Sequence, residues 1–411
     1  MLVFARRDFE RRPRPQGTER VAMRWMIGGP DLPVELLQTL EEGKLVFFCG
    51  AGVSYPVGLP GFGGLVNEVY KNLNETKSRL EQKECCKGLF DRTLGLLENR
   101  IGKDRVRKAI IKNLQIAPDA NLRTHRSLLD LSTTRAGTRR LVTTNFDRGF
   151  LVCEAGSTVD IAPKLPVPKL ETWNSVVHLH GLIGDHDPEG RSLVLTSADF
   201  GSAYLTEGWA SRFITDLFRR FTVLFVGYSV EDPVVRYMMD AFAADRALGE
   251  GVGTAYVLAG DGPGEEDKWK ARGVIPLLYD SSNRHQALHD SLSKWAQCHR
   301  LGLVGRENVV IERGSQNRPA RPFEDDPIVT QVLWAVSESS GHVARVFANL
   351  EPLPSLEWLP VFEEKGILRL QSGERPAHLV DSHGTTNRAG LHPVTRSLGE
   401  WLSRHIGNPI S

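Results

Sequence analysis

Four short stretches combine residue types and spacings able to do chemistry: Gly50-Ala51-Gly52-Val53-Ser54, Thr143-Thr144-Asn145-Phe146-Asp147, His178-Leu179-His180-Gly181 and Gly227-Tyr228-Ser229. Glycines let the backbone turn sharply and approach a ligand closely, and the free N–H groups of such a turn suit a pyrophosphate. The full dinucleotide fingerprint needs a third glycine and an acid about 20 residues on, and neither is clear here. Asn145 offers an amide that could hold a water. His180 offers an imidazole whose ordinary pKa of about 6.5 leaves it partly neutral at pH 7. Each stretch also has a plainer use. The first could be a tight turn, Asp147 could cap a helix, and Gly227 with Asp232 and Pro233 could be a strand–turn–helix junction. Strand alternation places His178 and His180 on one face, a potential metal half-site, but no third ligand stands at a recognisable spacing and no metal is expected.

The elements that must position these residues are legible as alternating α and β. The apolar runs Leu45–Cys49, Leu141–Thr144, Val176–Leu179, Val223–Val226 and Ala255–Leu258 have the length and β-branched content of buried strands. Amphipathic stretches lie between several of them, which predicts an α/β, Rossmann-like, mostly parallel sheet with helices on both faces. Each chemical stretch then falls at a strand's carboxyl end, where open α/β sheets bind ligands. From about residue 65 to 131, Leu73, Leu80, Leu94, Leu97, Val106 and Ile110 recur at helical spacing, so a helical module is inserted there.

Around this unit, residues 1–30 read as a basic, disordered arm, with seven arginines against three acids. Residues 31–300 form the catalytic domain, 301–327 a linker rich in Pro and Arg, and 328–411 a helical sensing or assembly region. The final helix is followed by no tail of its own, a pattern that fits a longer array as well as a natural end.

Composition narrows the class. With 51 basic and 50 acidic residues there is no global signature of nucleic-acid or membrane-surface binding, and neither partner is expected. Five scattered cysteines do not make a disulfide scaffold, which suits a reducing cytoplasm. No apolar run reaches the roughly 18–20 residues of a membrane span.

Taken in order, GAGxS, the loop Pro60-Gly61-Phe62, a helical insert, TTNFD, HG after a strand and GYS resemble the sirtuin family over roughly residues 32–300. The resemblance implies a Rossmann-like NAD-binding domain carrying a smaller inserted one. It implies that Gly50, Ala51, Gly52 and Ser54 cradle the NAD phosphates and that Phe62 stands beside the nicotinamide ribose. Asn145 and Asp147 match polar residues of the family's TQNID motif, with Thr144 in place of its glutamine. His180 matches the catalytic histidine, and Gly227 and Ser229 match the GTS loop on the adenosine side. Departures are equally informative. The loop Gly58–Gly63 lacks the family's acid and arginine, and residues 181–226 contain none of the zinc-binding cysteines usual in protein deacylases. What remains resembles the zinc-less, sirtuin-like NAD-hydrolysing domains of bacterial antiphage proteins. The expected activity is therefore NAD glycohydrolysis, with NAD as substrate and Asn145 and His180 as the catalytic pair. The implied setting is a cytoplasmic homo-oligomer triggered through residues 328–411 by a phage-derived signal or a partner defence protein. The alternatives are a silent NAD- or ADP-ribose-binding module and an NAD-dependent deacylase.

Overall fold

A computed structural model describes residues 22–154, 156–230, 232, 235, 238, 253–315, 323, 326–371, 378–380 and 392–406. Its centre is a seven-stranded sheet built from the apolar runs: β1 (Leu45–Cys49), β2 (Arg140–Thr143), β3 (Val159–Ile161), β4 (Ser175–His178), β5 (Thr222–Val226), β6 (Ala255–Gly260) and β7 (Ile275–Tyr279). The strands are all parallel, in the order β3-β4-β2-β1-β5-β6-β7. Five of the seven follow the expected runs. The two outer strands do not: β3 is only three residues long, and β7 carries Pro276, which suits an edge position.

Period-2 alternation divides the sheet's side chains between two cores. Phe47, Leu224, Leu258 and Leu277 point to one face, and Phe48, Val142, Phe225 and Val257 to the other. The chain leaves β1 for β2 on one side and returns to β5 on the other. The switch point therefore lies beside β1, where a crevice opens at the carboxyl ends of β1, β2 and β5.

Between β1 and β2 the chain is helical: Phe62–Asn72, Arg79–Cys86, Phe90–Ile101, Lys103–Asn113 and Arg123–Leu131. The insert has its own core of Leu65, Val69, Leu94, Val106 and Ile110, closed by Ile183, Leu193 and Leu195 from the segment after β4. Arg107, fully buried, ties the two together. Its guanidinium donates to the carbonyls of Gly190 (2.5 Å), Leu193 (2.9 Å) and Arg191 (3.3 Å), and to the carboxylates of Glu98 (2.9 Å) and Asp199 (2.5 Å).

Two boundaries differ from expectation. Residues 22–30 are structured: Ala22–Met23 pairs with Leu32–Pro33, and Met23 and Trp25 are buried. Gln331 donates to the carbonyls of Arg24 (2.7 Å) and Trp25 (3.0 Å), and Trp25 packs edge-on against Trp334. That partner lies some 300 residues away, so no local pattern could announce it. Residues 1–21 of the expected arm lie outside the described residues. The expected linker contains the helix Leu303–Arg313, which buries Val309 and Val310. Arg306 of that helix stacks on Trp334 and pairs with Glu41.

The helices Pro327–Val336, His342–Ala348, Trp358–Glu364 and Pro393–Ile406 follow. Their apolar residues, Val329 through Trp401, belong to the same continuous core as Phe47, Leu224 and Leu258 of the sheet.

Candidate active site

The four chemical stretches meet at the switch point. Gly50 and Gly52 donate their N–H groups to the carbonyls of Val226 and Gly227, each at 2.9 Å, so the turn after β1 is laced to the turn after β5. The glycines make this approach feasible. A Cβ on Gly52 would stand 2.8 Å from the Cα of Gly227, and one on Gly227, whose φ is +76°, would stand 2.6 Å from the Val53 nitrogen. Loop-to-loop contact, rather than ligand access alone, is thus what these glycines permit. It also spends two N–H groups expected to face a pyrophosphate.

Two adjoining cavities of about 60 and 560 Å³ open here, and they share Ala51, Pro60, Phe62 and Asp232. Ser54, Thr144, Asn145, Asp147 and His180 line the smaller, while Gly52, Gly227 and Ser229 line the larger. Of the residues expected at the site, only Gly50 lines neither. The larger falls within the roughly 300–1,000 Å³ typical of small-molecule sites, and the smaller is a narrow extension of it.

Asn145 is held at almost every polar atom. Its N–H donates to Thr143 Oγ1 (3.0 Å) and its carbonyl faces His178 Nδ1 (3.2 Å). The two hydrogens of Nδ2 go to the Gly50 carbonyl and to Ser54 Oγ, both at 3.0 Å. Because a carbonyl only accepts, the Gly50 contact decides which end of the amide is nitrogen. Among the described residues Oδ1 has no hydrogen-bond partner, and Asn145 lines the smaller cavity. Ser54 in turn donates to Asp147 Oδ2 (2.8 Å), and Asp147 Oδ1 accepts from the Gly149 N–H (2.8 Å). Asp147 therefore does cap the following turn, while also anchoring Ser54.

His180 follows β4, and its Nε2 meets the Tyr204 hydroxyl at 2.8 Å. Phe200 and Tyr204, stacked on each other, both present to the imidazole edge-on. Burial pushes the His180 pKa down to about 3, far from the ordinary 6.5 expected from sequence. It is neutral throughout the physiological range and a weak base. His178, also fully buried, turns its ring to Asn145 rather than to His180. The HxH pair does not converge, and among the described residues no three His, Cys, Asp or Glu stand together.

Three contributors escaped the sequence reading. His125, buried on the helix Arg123–Leu131, brings Nε2 to 3.4 Å from Ser54 Oγ. Tyr204 sits in a π-helical turn, Ser202–Thr206, a feature often found at functional sites. Tyr228 donates to the Cys49 carbonyl (3.2 Å) and bonds Thr144 Oγ1 (2.7 Å). Thr144 and Tyr228 stand where the sirtuin motifs have glutamine and threonine, so these two departures are in contact. Only Tyr228 lay within a motif; the other two had no local signal.

The buried imidazoles predict an acid-sensitive fold. Burial holds His178 at about 4, His180 at about 3 and His289 at about 4, against 6.5 for an exposed imidazole. Below 6.5 the unfolded chain takes up protons that the folded chain refuses, so these groups cost stability as pH falls toward 4. The unfolding midpoint is expected to drop between about pH 7 and 5.5, above the carboxylate range, as followed by thermal melts. A midpoint that rises or stays level over that window overturns the assignment.

Residues 139–277 match the SIR2-like domain family. The chain contains a sirtuin-like domain on a Rossmann-like parallel sheet. The uncharacterized protein y4cA of Sinorhizobium fredii is 36% identical over 266 residues, 61% of this chain. The chain spans only 22% of that relative's length. Among solved structures, one of Sir2 enzymes shares 13% identity at a TM-score of 0.34, covering 64% of this chain and 98% of that one. A Sir2 complex with an inhibitor, 2′-O-acetyl-ADP-ribose and a deacetylated peptide shares 16% at 0.32, covering 64% and 95%.

Proposed function

We propose that this chain is an NAD glycohydrolase, cleaving the bond between nicotinamide and ribose to release nicotinamide and ADP-ribose. The observation that carries the reading is Asn145, which lines the smaller cavity and whose Oδ1 has no partner among the described residues while every other polar atom is tied down. The bond to be broken is N-glycosidic, and its pyridinium leaving group departs as neutral nicotinamide, so little acid help is needed. An oxocarbenium-like ribose cation forms, as in glycoside hydrolysis, and water adds to it, its proton passing to solvent in the cavity. Asn145 Oδ1 accepts a hydrogen bond from that water and points its oxygen lone pair at the ribose carbon. Neutral His180 hydrogen-bonds the substrate rather than carrying away a full proton charge. Phe62 and Pro60, at the junction of the two cavities, mark where the ribose sits, with the adenosine end toward Gly227 and Ser229.

NAD incubated with purified protein and separated by chromatography tests the proposal, with nicotinamide and ADP-ribose appearing in equal amounts. Saturable NAD binding without products over hours would instead favour a silent binding module. Nicotinamide release only in step with deacetylation of an added acetylated peptide would favour a deacylase. The role as a toxic antiphage effector, the homo-oligomer and the phage-derived trigger are parts of the same proposal and rest on the sequence resemblance.

Control through residues 328–411 meets a physical constraint. Those helices share an unbroken apolar core with one face of the sheet. Deleting residues 316–411 is therefore expected to give insoluble protein, because it strips that face. A soluble truncated protein with altered oligomeric state or NAD turnover, measured by light scattering and chromatography, would restore the regulatory role.

A further inference from the structure

His178 stands two residues before His180, is fully buried, and takes no direct part in the chemistry proposed above. Its Nδ1 lies 3.2 Å from the Asn145 carbonyl oxygen. A carbonyl can only accept, so Nδ1 carries the proton and the ring is the Nδ1–H tautomer. Nε2 is then a bare acceptor, buried and without a hydrogen-bond partner among the described residues. Leaving a buried acceptor unpaired is costly, and an apolar side chain of similar size would remove that cost. Burial also holds the ring neutral, with its pKa down at about 4, so no ion pair explains its presence. What the imidazole supplies is one directed N–H.

That N–H arrives at an informative place. β4 runs parallel to β2, with His178 opposite Thr143, so the ring reaches across to the peptide just past the end of β2. The Asn145–Phe146 peptide has left the ladder there, and the His178 bond replaces the missing sheet partner. Its orientation sets the direction of the Asn145 side chain, whose amide is clamped by Gly50 and Ser54 from the opposite turn.

We propose that His178 is a positioning residue for Asn145: its Nδ1–H anchors the Asn145 carbonyl and so aims Oδ1 into the cavity. The inference rests on the NAD-hydrolase reading for its kinetic consequence, while its geometry is independent of that reading.

Three variants separate the ring's donor from its bulk. In His178→Asn the side-chain Nδ2 sits close to the position of Nδ1 and keeps the donor. His178→Gln places its donor one atom further out, and His178→Leu fills the space with no donor. The expected result is a kcat lowered about tenfold or more for His178→Leu and His178→Gln, with KM little changed, and a kcat near the parent value for His178→Asn. A second readout does not depend on turnover. Asn145-Phe146 is the single Asn–Phe pair in the sequence, so carbonyl-¹³C asparagine combined with ¹⁵N phenylalanine gives one NMR correlation for that peptide. Its carbonyl shift is expected to move in His178→Leu and to stay near the parent position in His178→Asn.

An unmoved carbonyl in folded His178→Leu overturns the hydrogen bond. Parental kcat in folded His178→Leu, or equal losses in His178→Asn and His178→Leu, overturns the positioning role. If His178→Leu does not fold, the comparison of His178→Asn with His178→Gln decides by the same criteria. The parent and an Asn145→Ala variant run alongside distinguish the two levels: no turnover in the parent counts against the NAD-hydrolase reading, parental turnover in folded Asn145→Ala removes Asn145 from the mechanism and with it the kinetic role of His178, and the carbonyl shift still decides the geometry.

Discussion

Replacing Asn145 with alanine is expected to lower the kcat of NAD hydrolysis by about 10²–10⁴-fold while leaving the fold in place. The size follows from what the amide does. Nδ2 bridges the Gly50 carbonyl and Ser54 Oγ, and Oδ1 is then the acceptor available for water. Alanine removes the water's only proposed orienting group. It also leaves Ser54 Oγ, on the wall of the smaller cavity, and the Gly50 carbonyl, which lines neither cavity, short of a donor, at a cost of about 1–3 kcal/mol in stability. Substrate affinity should fall less than kcat, since the amide is asked to act on water rather than on NAD. Steady-state rates from quantified nicotinamide, with circular dichroism to check folding, provide the measurement. A folded alanine variant that turns over NAD at the parental rate removes Asn145 from the mechanism. His180→Ala belongs in the same series. Because burial keeps His180 neutral, the parental pH–rate profile should show no break from this residue between about pH 5 and 9.

The second large effect concerns stability. Arg107→Leu is expected to destabilise the chain by about 3–5 kcal/mol, a sizeable part of the roughly 5–15 kcal/mol that holds a typical domain together. The buried guanidinium serves three carbonyls and two carboxylates at once. Leucine fills part of the volume but leaves all five acceptors without their donor. Glu98, whose carboxyl burial already lifts above the usual range despite Arg107, would rise further and take up a proton. The damage should reach the site as well. The segment held by Arg107 includes Val194, which donates its N–H to the His180 carbonyl (2.9 Å) and lines the smaller cavity. Lysine, with one point charge, cannot span the same acceptors, so Arg107→Lys should recover little. Urea unfolding of the two variants and the parent checks this. A midpoint for Arg107→Leu within experimental scatter of the parent would show that the clamp contributes nothing net.

Arg107 also accounts for how the segment after β4 is held. The sirtuin motifs place zinc-binding cysteines in this stretch, and residues 181–226 have none. Here a single side chain from the inserted helices gathers the loop's carbonyls, and Ile183, Leu193 and Leu195 bury their side chains in the insert's core.

The sequence by itself determined most of the sheet and where on it the candidate site falls. Runs such as Leu45–Cys49 and Val223–Val226 can only be buried strands, and polar or glycine-rich residues directly after them must lie at the sheet's carboxyl edge. Ser54, Asn145, Asp147, His180 and Gly227 were legible for that reason. Tertiary structure alone decided the rest, because each remaining feature joins residues far apart in the chain. The direction of the Asn145 amide depends on Gly50, and that of its carbonyl on His178. The protonation of His180 depends on burial by Phe200 and Tyr204, which lie on a later turn. Structure in residues 22–30 depends on Gln331 and Trp334, and the helix inside the expected linker depends on the core it helps to cover. Local patterns report on periodicity and turn chemistry within about a dozen residues. Hydrogen-bond direction, desolvation and the satisfaction of a buried charge are set by whichever groups the fold brings within 3–4 Å, and those are fixed only when the chain has closed.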